Sequence, residues 1–159
     1  MTLVPQVVDA LSIPVIAAGG IADGRGIAAA FMLGAEGVQC GTCFIPCDET
    51  NIHQNYKDLV LKASDIDTKV TGRSTGHPVR TIRNQLTKVY LKMESEGATL
   101  DELEQLSLGS LRKAVVDGDK DMGSFMAGQI SGLLSQQMTV KERIVSMMDQ
   151  AETLLGGKK

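Results

Sequence analysis

Two short apolar runs, each preceded by a helical segment and each halted by glycine, occupy the first part of the chain. Pro14-Val15-Ile16-Ala17-Ala18 stops at Gly19-Gly20, and Gly37-Val38-Gln39-Cys40 stops at Gly41-Thr42. A run that is apolar throughout yet too short for a helix reads as a strand covered on both faces, the habit of a parallel sheet. Ahead of the first run, Val4, Val7, Val8 and Leu11 recur at helical spacing, closed by Ser12 and Pro14. Between the runs, Asp23 is placed to cap a helix from about Gly24 to Leu33, and Gly34 to stop it. Helix, strand, helix, strand with brief loops is the repeat of a parallel α/β fold.

The two glycine loops are the candidate site. Consecutive strands of a parallel sheet tend to be neighbours, which sets Gly19-Gly20 beside Gly41-Thr42 at the strands' C-terminal ends. Glycine lets the backbone come close to a ligand, and the loop N–H groups and the Thr42 hydroxyl are donors for an anion. A following helix N-terminus would add a favourable dipole. In (β/α)8 barrels a phosphate site forms in this way from the loops after the last two strands. Each loop taken alone also fits a plain turn. A rival pattern, G-x-G-x-x-A at Gly24-Arg25-Gly26-Ile27-Ala28-Ala29, matches the dinucleotide fingerprint, with Asp48 and Glu49 in the place of a ribose-binding acid. That fingerprint should follow its strand directly, and here Gly19–Asp23 intervenes.

Beyond Pro46 the chain reads as mostly helical. Helices are expected over Asn51–Ala63, Val79–Glu94, Leu100–Leu106, Leu108–Val116, Ser124–Leu134 and Thr139–Leu155. Thr139 with Glu142 makes a capping box for the last of these. Asp67–Thr71 reads as a short strand, Asp117-Gly118-Asp119 as a turn, and Gly156-Gly157-Lys158-Lys159 as a frayed tail.

Composition excludes several classes. A net charge of −3 gives no overall attraction to nucleic acid or an anionic membrane, and five aromatics without tryptophan make no base-stacking surface. The apolar runs are too short to span a bilayer. Cys40, Cys43 and Cys47, spaced C-x2-C-x3-C, lack a fourth thiol, and His53 and His77 lack zinc-finger spacing, so no metal site is expected. Three cysteines without a secretory leader point to a reducing, cytoplasmic compartment.

Longer stretches carry a resemblance. Thr2–Ala10, then Ile13-Pro14-Val15-Ile16-Ala17-Ala18-Gly19-Gly20-Ile21-Ala22-Asp23-Gly24-Arg25-Gly26, then Gly34-Ala35-Glu36-Gly37-Val38-Gln39-Cys40-Gly41-Thr42 are similar to enoyl-acyl-carrier-protein reductase II and its nitronate monooxygenase relatives. Gly76-His77-Pro78-Val79-Arg80 and Gly123-Ser124-Phe125-Met126-Ala127-Gly128-Gln129-Ile130-Ser131-Gly132 resemble later segments of the same family. The resemblance implies the C-terminal part of a (β/α)8 TIM barrel of the FMN-linked oxidoreductase type. Residues 1–47 would hold the last two strand units, and 48–159 a mostly helical region. It implies that Ala18, Gly19 and Gly20, joined by Gln39, Cys40, Gly41 and Thr42, contact the FMN phosphate, with Met126 and Gln129 near the flavin. It further implies NADH (or NADPH) as reductant and a trans-2-enoyl thioester on acyl carrier protein or CoA as substrate. Relatives instead oxidise alkyl nitronates with oxygen.

The same resemblance places the family's active-site histidine in a first half that this chain lacks, so no catalytic residue is assigned here. A partial barrel without activity of its own is the contrasting expectation, its open edges and apolar face favouring association, as in a homodimer. Cys43 stands where relatives carry a basic residue. His53 reads as a solvated helix start. His77, before Pro78, is more readily a loop residue than a substrate contact. Arg80, Arg83 and Asn84 read as a solvated helix face rather than a polar site. Met122, Met126, Met138, Met147 and Met148 read as core filler, with an acyl channel as the alternative.

Overall fold

The structure is a computed structural model in which residues 2–156 are described, so that of the expected tail residues 157–159 lie outside them. The chain opens as read from its pattern: helix α1 (Leu3–Ala10), strand β1 (Ile16–Ala18), helix α2 (Gly24–Met32) and strand β2 (Gly37–Gln39). Asp23 caps α2, its carboxylate accepting from the Arg25 and Gly26 amides at 3.0 and 3.4 Å. Gly34 ends the helix in the left-handed region, φ +92°. The strands pair in parallel with Ile16 opposite Gly37 and Ala18 opposite Gln39. The expectation that they are covered on both faces fails. Along β1, Ile16 and Ala18 are exposed and only Ala17 is buried. The reason is that β2 is the only strand beside β1 among the described residues, so one edge and one face stay open.

A three-residue 3-10 turn (Thr42–Phe44) follows β2 and carries Cys43 into the interior. Helix α3 (Gln54–Lys62) begins three residues later than expected, with His53 as its N-cap: the ring Nδ1 accepts from the Asn55 amide at 3.1 Å. His53 therefore holds a helix end and packs over Gly118, where any Cβ would collide with the imidazole.

Strands β3 (Thr68–Thr71) and β4 (Val79–Ile82) form an antiparallel hairpin. The helix expected over Val79–Glu94 is thus corrected at its start, where Val79–Ile82 is strand. Val79-Arg80-Thr81-Ile82 is rich in β-branched residues, which favour extended backbone. Helix α4 (Gln85–Ser95) begins only after Asn84, which closes a capping box with Thr87. Arg80, Arg83 and Asn84 are consequently not one helix face. Arg80 donates to the Thr68 hydroxyl at 2.9 Å, Arg83 lies 3.6 Å from Asp67, and the Asn84 amide group donates to the carbonyls of Lys120 and Gly123.

Helices α5 (Leu100–Ser107) and α6 (Ser110–Arg112) follow, α6 running on into a π turn over Lys113–Asp117. The helix expected over Ser124–Leu134 is also corrected. Phe125 and Ala127 bond along β4, Ile82 N–H donating to Phe125 at 2.8 Å and Ala127 N–H to Arg80 at 3.2 Å, and only Gln129–Leu133 coils, as a 3-10 turn. Glycines at 123, 128 and 132 lower the helical preference of this stretch, and the open edge of β4 supplies the bonds instead. Helix α7 (Val140–Leu154) starts at the Thr139–Glu142 capping box and packs across α2 through Met147 and Ala151. Gly24 is what permits that crossing, since a Cβ there would lie 2.5 Å from both the Ala151 nitrogen and the Met147 oxygen. The G-x-G-x-x-A pattern is thereby a packing motif. Among the described residues no helix is long and apolar enough to cross a membrane.

Candidate functional site

The parallel register puts Ala18 level with Gln39, so the Gly19-Gly20 and Gly41-Thr42 loops leave the sheet side by side. Gly19 and Gly20 both have positive φ, +88° and +75°, a conformation an L side chain rarely adopts. Nothing lies within 4 Å of where their Cβ atoms would be, and the same holds at Gly41. The space beside the loops is therefore open for a ligand to meet backbone. Among the described residues, no carbonyl or side chain accepts from the amides of Gly20, Gly41 or Thr42. Three neighbouring donors without internal partners suit a compact anion.

The helix dipole expected to assist them is not available. The Asp23 carboxylate occupies the start of α2, where the Arg25 side chain pairs with it, and the Gly24 amide donates to Gln150 Oε1 at 2.8 Å. The Arg25 hydrogen bond holds the Asp23 carboxyl below its ordinary value, so the helix end already carries its anion. The turn after Thr42 has three residues, too few to add a dipole. Loop amides alone make the cradle.

Thr42 ties the loop to the later segment. Its hydroxyl oxygen accepts from the Gly128 amide at 3.0 Å, which leaves the hydroxyl proton free to donate outward. Gly128 lies between Met126 and Gln129 in the chain, so this bond anchors their segment to the second glycine loop. Gln129 is exposed and its amide group reaches the Asp65 carbonyl at 3.4 Å. Met126 is 39% exposed, and its backbone is fixed by the Tyr56 hydroxyl, which donates to its carbonyl at 2.7 Å. Tyr56 packs edge-on against Phe125, ring centroids 4.9 Å apart, and burial raises its phenol to about 12. Sequence reading missed Tyr56. A buried tyrosine must place its hydroxyl somewhere, but its partner lies 70 residues on.

The thiols are not part of the cradle's charge. Cys43, in the position where a basic residue was expected from the resemblance, is fully buried, and burial pushes its thiol up to about 12. Cys47 is fully buried too, its carbonyl taken by the Lys57 ammonium at 2.6 Å. Burial also raises the thiols of Cys40 and Cys47. Among the described residues no group of three His, Cys, Asp or Glu is placed to share a metal ion.

The fold and the loops define a class: an α/β segment whose adjacent strand ends leave backbone amides without internal acceptors beside open space. The chain belongs to the nitronate monooxygenase family, which matches residues 1–150. A Bacillus subtilis protein named as a probable nitronate monooxygenase is 39% identical over 142 residues, covering 89% of this chain and 41% of its own length. The structure of FabK from Thermotoga maritima superposes with a TM-score of 0.92 at 46% identity, over 96% of this chain and 49% of that one. Nitroalkane oxidase from Streptomyces ansochromogenes superposes at 0.77 with 28% identity, over 98% and 45%. This chain spans less than half the length of each of these relatives. The α/β class and the likeness to these barrel chains agree with the sequence reading, while the two parallel strands described here close no barrel.

Proposed function

We propose that this chain is the FMN-phosphate-binding portion of a flavin-dependent oxidoreductase that reduces trans-2-enoyl thioesters, carried on acyl carrier protein or CoA, with NADH or NADPH as reductant. The observation that carries the cofactor reading is the cradle: amides at Gly20, Gly41 and Thr42 without internal acceptors, beside glycines with open space. A phosphate dianion fits those donors, and the Thr42 hydroxyl adds a fourth. FMN, when bound, supplies hydride chemistry; the chain's own part is to anchor the phosphate and to set Met126 and Gln129 on the adjoining segment. Support for enoyl reduction comes from the greater likeness to FabK, 46% identity against 28% for nitroalkane oxidase. Nitronate oxidation is the second reading, favoured by the names of the curated relatives. The exposed edge of β1, with Ile13 and Ile16 each more than 60% exposed, supports association with further strands, whether from a second copy or another chain.

Flavin fluorescence quenching on the purified chain, with size-exclusion chromatography to read its assembly, tests the cofactor reading. Saturable FMN binding that Gly20→Val abolishes is the expected result. A folded chain that leaves flavin fluorescence unchanged would overturn it. NADH oxidation driven by crotonyl thioester, against oxygen uptake with an alkyl nitronate, separates the two activities.

A further inference from the structure

Two cations are buried against the end of the turn that follows Thr42, and neither pairs with a carboxylate among the described residues. Lys57 is 4% exposed, and its ammonium donates to the carbonyls of Cys47 and Asp48 at 2.6 and 3.2 Å. Arg143, in the first turn of α7, is 9% exposed. One terminal nitrogen of its guanidinium donates to the Gln136 carbonyl at 3.0 Å, while its buried Nε has no hydrogen-bond partner. Burying a charge without a counterion is costly. A guanidinium left in this state gains from any anion that comes within reach of its field.

The nearby acids do not serve as that anion. Glu142 is turned to the Thr139 amide and hydroxyl, Glu49 to the Val140 amide, and Asp48 to the Gln137 side chain. All three residues are exposed, so water screens their charge. The interior beneath the turn keeps its positive charge.

The place of Arg143 follows from two contacts. Cys47 bridges in parallel to Met138, which sets the stretch from Gln136 to Arg143 against the end of the turn. The Cys47 thiol donates to the Cys43 carbonyl at 3.8 Å, and Cys43 follows Thr42 directly in the 3-10 turn. Both thiols are fully buried; burial raises them, and the Arg143 charge draws each partly back. The guanidinium is thus felt across the turn that begins at Gly41 and Thr42.

We infer that Arg143 is a specificity residue for the cradle: acting at a distance, and supported by Lys57, it gives neutral amide donors a preference for a phosphate monoester dianion over an uncharged ligand of the same shape. The inference rests on the FMN-phosphate reading and deepens it by naming the residue that makes the cradle select charge. Because the guanidinium is buried, salt screens its field little.

The test is a fluorescence-quenching titration of the full chain with FMN and with riboflavin, which differ only by the phosphate. A charge acting on a dianion through protein rather than water changes affinity by roughly tenfold or more. Arg143→Gln, which keeps a donor for the Gln136 carbonyl, should weaken FMN binding by that factor and leave riboflavin binding as it is. Arg143→Met, which keeps the packing of the stem, should do the same. Arg143→Lys keeps the charge and should keep most of the preference for FMN. Lys141→Met, at an exposed position in the same helical turn, should leave the FMN-to-riboflavin ratio unchanged. Circular dichroism confirms that each variant is folded. A ratio that stays the same in the neutral variants, or an equal loss of both flavins, overturns the assignment and leaves the cofactor reading standing. A parent chain that binds neither flavin sinks the cofactor reading, and inorganic phosphate then decides on Arg143. A rise in Tm with phosphate that Arg143→Gln loses upholds the assignment; no rise, or one that both proteins share, overturns it.

Discussion

Replacing Gly24 with alanine should unsettle the fold at the crossing of α2 and α7. The added methyl carbon would stand 2.5 Å from the Ala151 nitrogen and the Met147 oxygen and 2.6 Å from the Gln150 Cβ. Two of these neighbours are backbone atoms of a helix, which no rotamer change can move. The helices must separate, and the 2.8 Å bond from the Gly24 amide to Gln150 stretches with them. Overpacking of this kind costs about 1–3 kcal/mol, and the lost hydrogen bond places the expected value in the upper half, about 2–3 kcal/mol. For a chain of this size that is a fall in Tm of roughly 4–12 °C. Gly37→Ala is the matched control: its Cβ would meet only Ile16 Cγ1 at 3.7 Å, an ordinary contact, and its φ is not positive. It should be neutral or stabilise by up to about 1 kcal/mol. Urea denaturation followed by circular dichroism reads both. A Gly24→Ala chain as stable as the parent would refute the packing argument and reopen the glycine pattern to a ligand-binding role.

Tyr56→Phe keeps the edge-on contact with Phe125 but leaves the Met126 carbonyl without its donor, and should cost about 1–2 kcal/mol in the same denaturation assay. Thr42→Val removes the acceptor for the Gly128 amide and should weaken FMN binding in the quenching titration, whereas Thr42→Ser keeps both. The Asp23 carboxyl is held low in the folded state, chiefly by the Arg25 hydrogen bond. A lowered folded value means stability that is present above the ordinary carboxylate range and lost as pH falls through the folded value. Asp23→Asn should therefore flatten the acid limb of the stability curve by about 1 kcal/mol or less, given the partly exposed pair. Mass spectrometry after iodoacetamide treatment at pH 8 should find Cys43 unmodified in the folded chain and modified in urea, because its thiol is pushed to about 12.

The first 45 residues were legible because local signals agree there. An N-cap aspartate, a stop glycine and two apolar runs describe α2, β1 and β2 without help from distant residues. Two later elements were misread for one physical reason. Val79–Ile82 and Ser124–Ala127 can satisfy a helical spacing of apolar residues, but each is decided by pairing with a distant partner: β4 with β3, and Phe125–Ala127 with β4. The alternation of buried Phe125 and Ala127 with outward Ser124 and Met126 is the period-two signature that favours a strand, and it is only four residues long.

The same long-range pairing decides what could be known of the site. The glycine loops were visible because strand ends and turns are local. Their cooperation with Gly128 was not, since the Thr42 bond spans 86 residues. Asp23 was legible as the cap of α2, but its consequence was not drawn from sequence: a carboxylate that fills the start of the helix removes that dipole from the cradle. The consequence is that the donors of the cradle are neutral amides, Cys43 having turned inward where a cation was expected. Neutral donors screen less with salt than a fixed cation does. FMN affinity in this chain should accordingly change little between low and moderate ionic strength. A steep loss of binding with added salt would mean that a basic side chain contacts the phosphate, which the arrangement of Gly20, Gly41 and Thr42 does not provide.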